Sequence, residues 1–141
     1  MNEYLFLYGT LLPTQAPKEI ASIVKRFRRL GPAQVRGKLY DLGEFPGAVL
    51  DSSARTMIQG ELVALPSDER TWEALDRYEE FDPLDTKKSL FVRQKAKVRM
   101  ANGSSRDGWI YVYNRRPVAA KLIPGGDYVW CRRSDSNRHE E

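Results

Sequence analysis

Apolar and polar positions change period several times along this chain, and each change marks an element. Tyr4-Leu5-Phe6-Leu7-Tyr8 is a continuous apolar and aromatic run ended by Gly9, which predicts a central strand feeding a glycine turn. From Lys18 to Arg28 the apolar set Ile20, Ile23, Val24 and Phe27 follows the i, i+3, i+4, i+7 rule, so an amphipathic helix is expected. Pro17 suits its start and Gly31-Pro32 its stop. Val35 to Tyr40, Ala48 to Leu50 and Met57 to Leu65 read as strands, the last interrupted by Gly60. A second helix is predicted after Pro66, with Ser67 as N-cap and Asp68 and Glu69 complementing the helix dipole; it ends before Pro83.

Val92, Gln94, Ala96, Val98 and Met100 alternate with Arg93, Lys95, Lys97 and Arg99, the period-2 pattern of a strand with one wet, basic face. Asn102-Gly103 turns the chain into Trp109-Ile110-Tyr111-Val112-Tyr113, a central strand with Trp109, Tyr111 and Tyr113 on one side. Pro117 to Ile123 suggests one or two further helical turns, and the polar stretch from Ser134 to Glu141 a disordered tail. Strands and two main helices, with no repeat or internal linker, predict an α+β fold. Its form is a small mixed β-barrel, closed or nearly closed, with the helices packed outside. A single domain over residues 1–133 is expected.

One position breaks the helical pattern. Trp72 and Leu75 define the inner face of the second helix, and Glu79 falls on that same face. A carboxylate aimed inward is costly unless it is paired or used in chemistry. Asp76 reads as a solvent-facing helix residue, and Arg93 as one more cation on the wet face of its strand.

At 141 residues, with 41% hydrophobic and 30% charged positions, the chain suits one globular domain, and no apolar run approaches the ~20 residues of a membrane helix. Met1-Asn2-Glu3 runs straight into apolar sequence without a basic leader, so no signal peptide and a cytoplasmic location are expected; a single Cys agrees with that. The formal charge of +4 is scattered. Lys25, Arg26, Arg28 and Arg29 fit the wet side of the first helix better than a phosphate-binding face. Binding of nucleic acid through Arg93, Lys95, Lys97 and Arg99 is a separate reading that predicts steep weakening with salt, and the expectation is of no nucleic-acid partner.

His139 is the only histidine and Cys131 the only cysteine, both near the polar tail. Neither a histidine-based triad nor a Cys/His zinc cluster can be assembled from them. A proton carrier here is then a carboxylate, ahead of Tyr or Lys.

An ordered series of short motifs carries a resemblance. It comprises Tyr8-Gly9-Thr10-Leu11, Gly37-Lys38-Leu39-Tyr40-Asp41-Leu42-Gly43, Phe45-Pro46-Gly47, Gly60-Glu61-Leu62 and Leu75-Asp76-Arg77-Tyr78-Glu79. Phe91-Val92-Arg93 follows as an aromatic-x-Arg element, then Trp109 to Tyr113 and Gly125-Gly126-Asp127-Tyr128. In this order the motifs resemble the gamma-glutamylcyclotransferase-like family over nearly the whole chain to about residue 130.

The resemblance implies a barrel cavity that receives a gamma-glutamyl group and binds its carboxylate end at the loop Tyr8, Gly9, Thr10 and Leu11. Glu79 would be the catalytic acid/base. Tyr40 and Tyr113 are further substrate-binding candidates whose plainer reading is that of core aromatics. The reaction implied is attack of the substrate's alpha-amine on its own gamma-carbonyl, forming 5-oxoproline and releasing an amine or amino acid. It needs no metal or organic cofactor. A non-catalytic small-molecule binding protein on the same barrel is the alternative.

Two positions depart from the family pattern, Thr10 mildly and Glu80 in a way that bears on the substrate's identity. Thr10 stands where serine is frequent, and Glu80 follows Glu79 where many relatives carry glycine. Desolvation, the helix C-terminus and the second carboxylate would all raise the pKa of Glu79. The leaving group and the oligomeric state stay open at this point.

Overall fold

The computed structural model describes residues 2–8, 18–43, 45–66, 68–116 and 120–127. Within them the order is β1 (Asn2–Leu7), α1 (Lys18–Val24), β2 (Arg28–Asp41), β3 (Pro46–Leu50), β4 (Met57–Pro66), α2 (Glu69–Tyr78), β5 (Phe91–Met100), β6 (Ser105–Tyr113) and β7 (Lys121–Leu122).

Five strands close on themselves in the order β2-β4-β1-β6-β5, with β5 returning to β2 through Ala33↔Met100 and Gln34↔Arg99. All neighbours run antiparallel except β1 and β6, which are parallel at Leu5↔Trp109. β3 and β7 extend the sheet from the far end of β2. The expected closed mixed barrel with two outer helices is therefore the architecture found.

The two faces of each strand explain its composition. In β1, Phe6 points with Val35, Ile58, Leu62, Val98 and Ile110 into the barrel, whereas Leu5 and Leu7 point outward beneath the helices. Both faces are dry, so the apolar run is continuous rather than alternating. The same holds for β6: Ile110 and Val112 fill the barrel, while Tyr111 joins Leu75, Ile20 and Val24 in the outer layer.

Several boundaries differ from the sequence reading. α1 stops at Val24, and β2 already begins at Arg28, so Arg28 and Arg29 are strand residues. Gly31, with φ +124°, sits at a register shift between Arg29 and Gly31 that lets the strand continue through Pro32. The glycine-proline pair, read as a helix stop, marks a β-bulge in a long strand.

Asp68 caps α2 by accepting the N–H of Arg70 at 3.0 Å; Ser67, the expected cap, lies outside the described residues. Lys121–Leu122 pairs with β2 where a helical turn was expected, and Pro117 to Ala119 lie outside the described residues. So does the tail from Ser134. Among the described residues no helix is long and apolar enough to cross a membrane.

Candidate active site

Glu79 ends α2, and the way the helix stops determines where its carboxyl goes. The Phe81 N–H donates to the Asp76 carbonyl at 2.8 Å and the Glu80 N–H to the Arg77 carbonyl at 3.2 Å, the paired bonds of a Schellman stop. The position after the cap in that motif is left-handed, and here it is filled by Glu80 at φ 55°. A residue with a Cβ is strained there, which gives a physical reason for glycine at this position. Glu80→Gly is expected to raise stability by about 1 kcal/mol, read as a higher denaturant midpoint at unchanged slope. An unchanged or lower midpoint would show that the left-handed turn costs nothing.

Glu79 itself is partly buried, and its carboxyl is pushed up to about 7. Desolvation is the main cause and the neighbouring Glu80 carboxylate the second. Two phenols face it. The nearby Glu79 carboxylate helps raise the pKa of both Tyr8 and Tyr111, although burial is the larger cause for each. Both hydroxyls therefore stay protonated and act as donors.

Tyr8, at the exit of β1, is buried and held at both sides of its hydroxyl. The oxygen accepts the Ala48 N–H of β3 at 3.3 Å, and the hydroxyl donates to the backbone carbonyl of Tyr111. Its ring lies 6.3 Å from that of Phe6, inside the barrel. The root of the expected binding loop is thus fixed to β3 and β6. Gly9, Thr10 and Leu11 lie outside the described residues.

Asp76 is not the solvent-facing residue expected. It is 7% exposed and accepts the Tyr111 hydroxyl at 2.6 Å. The Arg93 guanidinium lies 3.5 Å from its other oxygen. Burial raises the Asp76 carboxyl, while Tyr111 and Arg93 oppose that shift. Arg93 also leaves the wet face predicted for it: its guanidinium lies 4.2 Å from the Trp72 ring centre and 5.2 Å from that of Trp109. Alternation along β5 correctly separates two faces, but α2 covers one end of the outer face and leaves Lys95 and Lys97 exposed.

Tyr40 and Tyr113 are both partly buried. Tyr113 packs its ring 5.8 Å from Phe91, and its Cβ would lie 3.1 Å from a Cβ added at Gly47. Tyr40 pairs with Gly47 and Leu122 at the rim of the sheet. Among the described residues no hydrogen bond or ring contact joins either to Glu79. A hollow of about 630 Å³ lies along the other flank of α2, lined by Glu73, Asp76, Arg77, Glu80, Asp85 and Lys88 among others, without Glu79 or Tyr8.

The residues that the sequence reading missed are Asp76, Arg93 and Tyr111. Trp72, Leu75, Asp76 and Glu79 together follow the i, i+3, i+4, i+7 rule, so the signal for a buried Asp76 was present once polar residues were counted with apolar ones.

Comparison with known proteins matches residues 5–131 to the model of the gamma-glutamyl cyclotransferase, AIG2-like family. No curated protein sequence gives a significant match. Among solved structures, YkqA from Bacillus subtilis is similar at 22% identity and a TM-score of 0.73 over 97% of this chain, which spans 43% of YkqA's length. An AIG2-like protein from Mus musculus is similar at 19% identity and TM-score 0.70, covering 90% of this chain and 88% of its own. The ytfP protein from Escherichia coli is 28% identical with a TM-score of 0.59, covering 89% and 96%. The chain belongs to the gamma-glutamyl cyclotransferase, AIG2-like family.

Proposed function

We propose that the protein is a gamma-glutamyl cyclotransferase that uses Glu79 as general base and then general acid. The observation that carries this reading is a desolvated carboxyl at the end of α2, pushed up to about 7, whose charge reaches the tyrosine that opens the Tyr8 to Leu11 loop. A base poised near the working pH is the most effective one for proton transfer.

In the proposed reaction the ionised Glu79 takes a proton from the substrate's alpha-ammonium. The freed amine attacks the gamma-carbonyl carbon, a C–N bond forms, and the carbonyl oxygen becomes an oxyanion. Amides of the Tyr8 to Leu11 loop would stabilise that oxyanion or hold the alpha-carboxylate. Collapse breaks the original C–N bond, and Glu79 returns its proton to the departing nitrogen. The attacking nitrogen sheds protons and the leaving nitrogen gains them, so one carboxyl serves both steps. The products are 5-oxoproline and the free amine.

The test is 5-oxoproline release from gamma-glutamyl compounds with neutral, cationic and acidic leaving groups. Release from at least one, rising with pH to a plateau above about 7, is the expected result. No release from any of them, with 5-oxoproline still bound, would replace the enzyme by a binding protein on the same barrel.

A further inference from the structure

We propose that Asp76 is a positioning residue: gripped by Tyr111 and Arg93, its carboxylate pins the last turn of α2 to β5 and β6 and thereby fixes where Glu79 sits relative to Tyr8. This inference rests on Glu79 being the proton carrier, and it adds a part to that site.

The geometry carries it from both ends of Asp76. Arg93 and Tyr111 are direct cross-strand partners on β5 and β6, and both reach the same carboxylate, Tyr111 at 2.6 Å and Arg93 at 3.5 Å. The Asp76 main-chain carbonyl accepts the Phe81 N–H at 2.8 Å, closing the turn that contains Glu79. One residue thus ties the helix stop to the barrel wall. Tyr111 extends the tie: its hydroxyl holds α2, and its backbone carbonyl holds the Tyr8 hydroxyl at the root of the expected binding loop. Base and loop are referenced to the same residue of β6.

The two indoles explain why the grip is stiff. Arg93 lies over Trp72 and Trp109, whose rings meet edge-on at 6.3 Å, so the guanidinium is fixed before it meets Asp76. A carboxylate held by an ordered cation and an ordered hydroxyl has little freedom.

Tyr111→Phe is the deciding variant, because it keeps the ring and the local charge while removing only the hydroxyl. In the full chain, kcat for 5-oxoproline release is expected to fall about 10- to 100-fold with KM within about threefold. Asp76→Asn is expected to lower kcat similarly, and the double variant to fall no further than the worse single one. A second readout does not need activity: carboxyl NMR titration of Glu79. The groups facing that carboxyl are Glu80 on its own helix, Tyr8 from β1 and Tyr111 from β6. Tyr111→Phe alters none of their charges, so a loosened turn that admits water would lower the Glu79 midpoint by about one unit.

An unchanged Glu79 titration, or a KM that rises while kcat is kept, would overturn the positioning role. If the native chain releases no 5-oxoproline, the function proposed above fails, and the titration alone decides whether Asp76 positions Glu79. Should Asp76→Asn fail to fold, Tyr111→Phe still decides it.

Discussion

Replacing Glu79 with Gln is expected to reduce 5-oxoproline release by about 10²- to 10⁴-fold while leaving substrate binding nearly intact. Gln keeps the size and the hydrogen-bonding edge of the side chain, and loses only the ability to take and return a proton. The measurement is steady-state release of 5-oxoproline together with the binding of 5-oxoproline itself. Loss of release with retained binding would establish the base. Full activity in the variant would remove Glu79 from the reaction.

The same substitution has a stability consequence of opposite sign. Glu79 is raised from 4.5 to about 7 in the folded chain, so between those values the native state holds a proton that the unfolded state has released. Stability contributed by this group is therefore highest below about pH 4.5, falls as pH rises, and reaches its lowest level above about pH 7. Glu79→Gln should make the protein more stable at pH 8, by up to about 3 kcal/mol, with the gain fading toward pH 4.5. A carboxyl kept ready for proton transfer is in this sense stored strain, and removing it exchanges activity for stability.

Periodicity made the barrel legible because each strand announces how many of its faces are dry. The runs Leu5 to Leu7 of β1 and Ile110 to Val112 of β6 are continuously apolar or aromatic since both faces are covered there, and β5 alternates since its outer face is mostly wet. Glu79 was legible for the same reason, as a carboxylate on an apolar helical face. Asp76, Arg93 and Tyr111 were harder to see. Their association depends on α2 crossing one end of β5, a tertiary fact that periodicity within a single element does not contain. Local signals were also ambiguous where they served the sheet: Gly31-Pro32 has the composition of a helix stop, yet at φ +124° the glycine makes a bulge that keeps β2 running. The N-cap falls one residue later than the sequence reading puts it: Asp68, read only as a first-turn charge, accepts the Arg70 N–H.

Gly60 is the position where adding a single methyl group should do the most damage. It lies in β4 opposite Ala33, on the inward-facing side with Ile58 and Leu62. A Cβ there would stand 2.1 Å from the Leu7 carbonyl oxygen and 2.8 Å from the tip of the Phe6 ring. The ring has some freedom to swing, but the carbonyl belongs to the backbone of β1 and is paired with β4 through Leu7↔Glu61. Relief therefore requires the two strands to part. Gly60→Ala is expected to cost about 3 kcal/mol, well above the normal range for a surface change, and to be measured as a fall in the denaturant midpoint. The displaced carbonyl is that of Leu7, so the strain passes directly to Tyr8, whose hydroxyl must reach both Ala48 and Tyr111. Activity should then fall in the fraction that remains folded, with kcat/KM reduced further than the folded population accounts for. A variant within about 0.5 kcal/mol of the native chain would mean that β1 and β4 can separate without penalty, and that Gly60 serves only the local twist of its strand.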